Sequence, residues 1–193
     1  DTEAVTVLEF GDKPDEDAKL IVSIELPPSS FALCFQMYLM QHTKGFAPLQ
    51  LGEGKNSLSF YLRTKDFNVP SWLGLFGSGY SFLLNEDILE LYQWTGICLS
   101  GSDRKLNVFM KGLQVGQLER LDTIQTNTTT FNTLKFDSST KYKISNIKLW
   151  SIGLSSQEME MFTEQCNLKG FLKEEVTFAL EKLDKDLDQL QSA

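Results

Sequence analysis

The chain of 193 residues carries 26 acidic against 18 basic side chains, a net charge of −8, and 41% of its residues are hydrophobic. That hydrophobic share can bury a full core, while the acidic balance excludes the clustered Lys and Arg that a phosphate backbone requires, so no nucleic-acid partner is expected. The densest apolar stretch, Phe31 to Met40, is interrupted by Gln36 and falls well short of the roughly 20 residues of a spanning helix, so no membrane span is expected either.

In chain order, VTVLEF (5–10) and KLIVSIEL (19–26) are short, rich in β-branched residues and separated by an acidic turn, the pattern of two strands. Pro27 and Pro28 end the second. Further strands are predicted over 31–40, 57–64, 71–76, 80–84, 87–92, 96–100, 106–110, 132–136 and 141–152, with Gly, Ser, Asn, Thr and Asp between them. Many short strands and almost no helical periodicity before residue 153 predict an all-β fold, an antiparallel β-sandwich of jelly-roll type. At Ser155-Ser156-Gln157-Glu158 a capping box predicts a short helix to about Gln165. Beyond Gly170, Val176, Leu180, Leu183, Leu187 and Leu190 form a stripe at helical spacing, a C-terminal amphipathic helix that either packs on the sheet or pairs with a second chain. The expected organisation is a jelly-roll domain over 1–166 and a helical appendage over 167–193.

Two features point outside the cell. The sequence starts at Asp1 rather than Met, as a processed mature chain does, and Asn127-Thr128-Thr129 is an N-glycosylation acceptor in a Thr-rich stretch. The three cysteines, Cys34, Cys98 and Cys166, are either disulfide partners in a secreted chain or reduced core residues in a cytosolic one. As an odd number they leave at least one without an intrachain partner if the chain is oxidised.

The segments SSFALCFQMYL, SLSFYLRTK, DILELYQWTGICLSGSDRKLNVFMKG and KISNIKLWSIGLSSQEM resemble, in that order, successive segments of the pentraxin family, a group related to laminin G and concanavalin-like jelly rolls. The resemblance covers roughly residues 5 to 165. It implies a disulfide between Cys34 and Cys98, 64 residues apart, worth about 4 kcal/mol by loop-closure entropy, and so leaves Cys166, just before the leucine stripe, as the candidate for an interchain bond or a capped thiol. It also implies ring-shaped assembly and a calcium site that holds phosphate- or sugar-bearing ligands. The family's Asp-Asn pair corresponds here to Asp66 and Asn68, with Phe67 between them, while the Glu-Gln-Asp run is missing. Between Gly112 and Lys141 the acidic residues are Glu119, Asp122 and Asp137, scattered along the stretch. Calcium, which takes about six to eight oxygens, would fall to Asp66, Asn68 and Asp137.

Catalytic chemistry is thinly represented. The lone histidine, His42, sits in a turn-like QHTKG, there is no Gly-x-Ser-x-Gly elbow, and the Gly-x-Gly-Lys of GEGKNS lacks the context of a phosphate loop. One His and three separated Cys match no zinc pattern. In NEDILEL, Glu86 and Glu90 would share one side of a strand with Asp87 on the other, the raw material of a glycoside hydrolase but without the spacing of jelly-roll glycosidases. Phe67, Trp72, Phe76, Tyr80 and Phe82 crowd one region; most are expected in the core, and any left exposed would make 66–80 a ligand face. Trp94 and Trp150 are expected as core anchors. The reading is a secreted, non-catalytic recognition module for a glycan, a lipid headgroup or a protein, expected to form a homo-oligomer. The alternative is a structural protein assembling through Cys166 and the C-terminal helix, and a glycoside hydrolase is the third reading.

Overall fold

In the strand Leu58–Arg63, Leu58, Phe60 and Leu62 are buried, whereas Tyr61 and Arg63 are only partly covered. The period of two gives the strand one inward and one outward face. Repeated along the chain, this pattern builds two layers. The structure is a computed structural model that describes residues 7–11, 20–27, 30–54, 57–64, 72–77, 80–84, 89–102, 105–119, 130–137 and 139–164. Its strands are β1 (Val7–Phe10), β2 (Leu20–Leu26), β3 (Ser30–Leu39), β4 (Phe46–Leu51), β5 (Leu58–Arg63), β6 (Trp72–Gly77), β7 (Tyr80–Leu84), β8 (Trp94–Ser102), β9 (Lys105–Met110), β10 (Leu113–Glu119), β11 (Phe131–Phe136) and β12 (Tyr142–Trp150), followed by helix α1 (Ser156–Glu164).

The strands form two antiparallel six-stranded sheets, ordered β1-β12-β3-β8-β9-β10 and β2-β11-β4-β5-β6-β7. Neighbours in sequence often lie in different sheets, as expected of a concanavalin-like jelly roll. Between the layers, Phe31 of β3 meets Phe131 of β11 edge to face at 5.4 Å, and Phe35 of β3 meets Phe60 of β5 at 5.7 Å. These T-shaped contacts across the layers add specificity to the area buried. Tyr142 of β12 spans the core with its hydroxyl, 3.1 Å from the Pro48 carbonyl and 2.9 Å from that of Asp137. Burial, and then the charge of Asp137, push its phenol well above the ordinary tyrosine range.

A second apolar cluster lies outside the first sheet. Cys34 and Cys98 face each other in the β3–β8 register and form a disulfide, with Cα atoms 4.1 Å apart. Ala32, Phe109 and Trp150 surround them, and Met159 and Phe162 of α1 close the cluster. The capping box is formed: the Ser155 amide donates to Glu158 at 2.8 Å, and the Glu158 amide to Ser155 Oγ at 3.3 Å. Met159, Phe162 and Thr163 are the buried face. Gly96 of β8 lets the helix approach, since a Cβ there would lie 2.8 Å from the Thr163 backbone. Thr163 Oγ1 also accepts the Gly112 amide at 2.9 Å, fixing the helix to the β9–β10 turn.

Several expectations change. Neither β4 nor β10 is predicted from the sequence. Pro48 breaks the β pattern of FAPLQL, because a proline argues against an internal strand, and the register of β10 slips at a bulge between Gln114 and Gly116. The strand expected over 87–92 is not formed in its described part. Leu91 makes one isolated bridge to Leu39, and Tyr92 has a φ of 61°, a left-handed conformation that an extended strand excludes. Trp150 is buried as expected, under the helix rather than between the sheets. Trp94 is no core anchor: it is 37% exposed and leans on Tyr38 at 5.3 Å. The inward parity of β8 belongs to Thr95, Ile97 and Leu99, which turns Trp94 outward. The predicted C-terminal helix, its stripe and Cys166 lie outside the described residues. Among those described, no helix is long and apolar enough to cross a membrane.

Candidate binding groove

No helix covers the outer face of the second sheet among the described residues. On it the ladder aligns Lys135 of β11 with Gln50 of β4, Gln50 with Ser59 of β5, and Ser59 with Phe76 of β6. One step along, Tyr61 pairs with Gly74, and Arg63 with Trp72. Alternation puts Tyr61, Trp72 and Phe76 outward, because the inward positions of these two strands are filled by Phe60, Leu62, Leu73 and Leu75. Tyr61 and Phe76 meet at 5.8 Å with their planes 65° apart. At Gly74 a Cβ would collide with the Phe76 ring and lie 3.1 Å from that of Trp72. The glycine therefore lets the two rings close over the strand, and together with Tyr61 they form an aromatic shelf.

Beside the shelf lies an open cavity of about 420 Å³, lined by Gly45, Phe46, Ala47, Gln50, Tyr61, Lys135, Phe136, Asp137 and Ser139. Gly45 joins cavity to shelf, since a Cβ there would lie 3.6 Å from the Trp72 ring. The polar walls are fixed from behind. Lys135 pairs with Glu53 at 2.7 Å. Asp137 accepts the Ser139 amide at 2.9 Å through Oδ1, and its own amide donates to the Pro48 carbonyl at 3.2 Å. Because Tyr142 holds Pro48 and Asp137 from within the core, the cavity wall inherits the rigidity of the sandwich. The loop before β4 is tied by threonines: the Thr43 amide donates to Thr64 Oγ1 at 2.8 Å and the Thr140 hydroxyl to Thr43 Oγ1 at 3.3 Å. His42 is an exposed loop residue whose Nδ1 lies 3.3 Å from Thr64 Oγ1.

Of the residues singled out from the sequence, Trp72, Phe76 and Asp137 fall at this groove. Asp66, Phe67, Asn68, Asp122 and Asn127 lie outside the described residues. Glu119 ends β10 at the edge of the first sheet, so the structure does not bring it to Asp137. No group of three or more His, Cys, Asp or Glu side chains that could hold a metal exists among the described residues. Of the implied calcium ligands, Asp137 stands at the groove, and Asp66 and Asn68 lie outside the described residues. Glu90 is engaged with Lys111 at 3.3 Å; Glu86 and Asp87 lie outside the described residues. Residues 89–92 are not a strand, so Glu90 does not stand on the strand face expected of it. Sequence reading missed Tyr61, Gln50, Lys135 and Gly45. The outward parity of Tyr61 was available, but its neighbours come from β4, which Pro48 concealed.

No protein-family model matches the sequence, and comparison with curated proteins gives no match. Solved structures do match in fold. The native heptameric SAP-like pentraxin from Limulus polyphemus superposes with a TM-score of 0.61 at 16% identity, over 84% of this chain and 82% of its own. A Trypanosoma rangeli sialidase matches at 0.56 and 14%, over 70% of this chain but only 23% of the sialidase. Domain 4 of AbnA, a GH43 extracellular arabinanase from Geobacillus stearothermophilus, solved with arabinotriose, matches at 0.54 and 12%, over 81% of this chain and 87% of that domain. At these identities the likeness establishes the jelly-roll fold.

Proposed function

We propose that the protein is an extracellular, non-catalytic recognition module that binds a saccharide in the groove on its second sheet. The observation that carries this reading is the pairing of an aromatic shelf, Tyr61 with Trp72 and Phe76, with a polar cavity walled by Gln50, Lys135, Asp137 and Ser139. Sugar rings present an apolar face that stacks on aromatic side chains and a rim of hydroxyls that hydrogen-bond to amides, carboxylates and ammonium groups. A lipid tail would need a more enclosed apolar slot, and a protein partner would need a larger face than this groove offers.

The chemistry of the walls favours binding over hydrolysis. Most glycoside hydrolases use two carboxylates across the bond, and Asp137 is the one carboxylate among the described residues lining the cavity. The arabinanase domain, which holds arabinotriose on the same fold, supports the saccharide reading. The disulfide supports an oxidising compartment, since such bonds are rare in the cytosol.

The test is binding of the full chain to a panel of immobilised oligosaccharides, with and without a calcium chelator. Binding of at least one saccharide class that Tyr61→Ala abolishes is the expected result. Retention in the chelator assigns recognition to the groove side chains, and loss restores the calcium reading through Asp66, Asn68 and Asp137. No binding to any saccharide overturns the proposal.

A further inference from the structure

Arg63 is the outward residue that closes β5, two positions from Tyr61 on the same face of the strand. The Thr64 amide donates to the Thr43 carbonyl at 3.3 Å, which sets Arg63 beside Lys44 and Gly45 on one flank. On the other flank its ladder partner is Trp72. Since the Trp72 ring comes within reach of Gly45, in the loop before β4 on the far side of β5, the indole reaches across β5 at the position of Arg63, at the rim of the groove. The guanidinium is held there without a counterion among the described residues. Among the described residues its buried Nε has no hydrogen-bond partner, and none of the ion pairs of Lys111, Lys135 and Lys143 involves Arg63.

An arginine donor removed from water without an acceptor is unfavourable, and it is out of keeping with the surrounding groove. There, Lys135 is neutralised by Glu53 and the Asp137 carboxylate accepts a backbone amide. Acidic side chains outnumber basic ones in the chain by 26 to 18, yet none of the described ones pairs with this cation. The buried Nε offers no surface to a ligand, but the side chain as a whole stays partly exposed, and the two terminal nitrogens of a guanidinium can match a carboxylate in two parallel hydrogen bonds.

We infer that the groove selects an acidic saccharide, with the sugar ring on the Tyr61–Trp72 shelf and its carboxylate on Arg63. This deepens the saccharide reading and rests on it. The net charge of the chain does not oppose the pairing at physiological salt, because charges beyond about 8 Å are screened. The local cation decides.

The probe is a matched pair of oligosaccharides containing either a uronic acid or its methyl ester, titrated against the full chain near 0.15 M salt. The acid is expected to bind about tenfold more tightly than the ester, as one charge-assisted hydrogen-bonded pair provides. Arg63→Gln should bring the acid and the ester to equal affinity, and Arg63→Lys should keep part of the preference. The thermal midpoint of each variant, measured alongside, separates misfolding from lost recognition, and the wild-type acid-to-ester ratio tests the inference even if Arg63→Gln fails to fold. Equal binding of acid and ester by the wild type, or a preference that survives Arg63→Gln, overturns the acidic-ligand inference and leaves the saccharide reading intact. Absence of binding to either, and to neutral sugars, overturns both.

Discussion

The two outer faces of the sandwich start from the same strand alternation and end differently. On the first sheet the outward side chains near the disulfide are small or apolar, Ala32, Cys34, Cys98, Phe109 and Trp150, and Met159 and Phe162 of α1 cover them. On the second, Gln50, Tyr61, Arg63, Trp72 and Lys135 stay partly exposed around a cavity. A helix seals one face because that face offers apolar area with Gly96 as its point of approach. Aromatic and charged groups standing together on the other offer a ligand surface instead. One face carries stability and the other is free to carry recognition.

That contrast can be broken at four points. Removing the disulfide with Cys34→Ala and Cys98→Ala together should cost about 4 kcal/mol, measured by equilibrium denaturation of the oxidised wild type against the double variant. Gly96→Ala should cost about 2 kcal/mol by lifting α1, because the new methyl meets the Thr163 backbone; loss of helical circular dichroism before global unfolding would mark the separation. A variant with full stability would show that the helix is not held by this contact.

Between the faces, Tyr142→Phe should cost about 1 kcal/mol by removing the hydroxyl proton that the Asp137 and Pro48 carbonyls share, the second of which keeps the Asp137 amide. Its pH dependence has a defined sign. The folded phenol is raised above its unfolded value, near pH 10. The unfolded chain therefore releases that proton first, and the contribution is fully present below about pH 10 and declines above it. Urea denaturation from about pH 8 to 11 should show a steeper alkaline loss in the wild type than in Tyr142→Phe. The smallest stability effect belongs to Tyr61→Ala, within about 0.5 kcal/mol for a partly exposed side chain, although it should abolish saccharide binding. A large loss of stability there would instead make Tyr61 a structural residue.

Where the pattern of side chains was local, the sequence was readable. β3, β5, β7, β9 and β12 follow from short apolar runs bounded by turn residues within a few positions, and the Ser155–Glu158 box marks the start of α1, because each signal is carried by residues adjacent in the chain. The failures also have local causes. DILELY alternates like a strand, yet Tyr92 takes a left-handed conformation and Glu90 turns to Lys111. FAPLQL carries a proline and still pairs on both sides, with Leu49 and Leu51 buried. Pro48 offers its carbonyl to Tyr142 and to the Asp137 amide.

By itself the sequence determined the all-β class, the order of most strands, the capped helix and the acidic net charge, since composition and periodicity are properties of neighbouring residues. The tertiary structure alone decided which strands share a sheet and which face α1 covers. It also gathered Gly45, Gln50, Tyr61, Trp72, Lys135 and Asp137 into one groove. Those residues come from β4, β5, β6, the end of β11 and the loop before β4, and only the hydrogen-bonded register between strands distant in sequence sets them side by side.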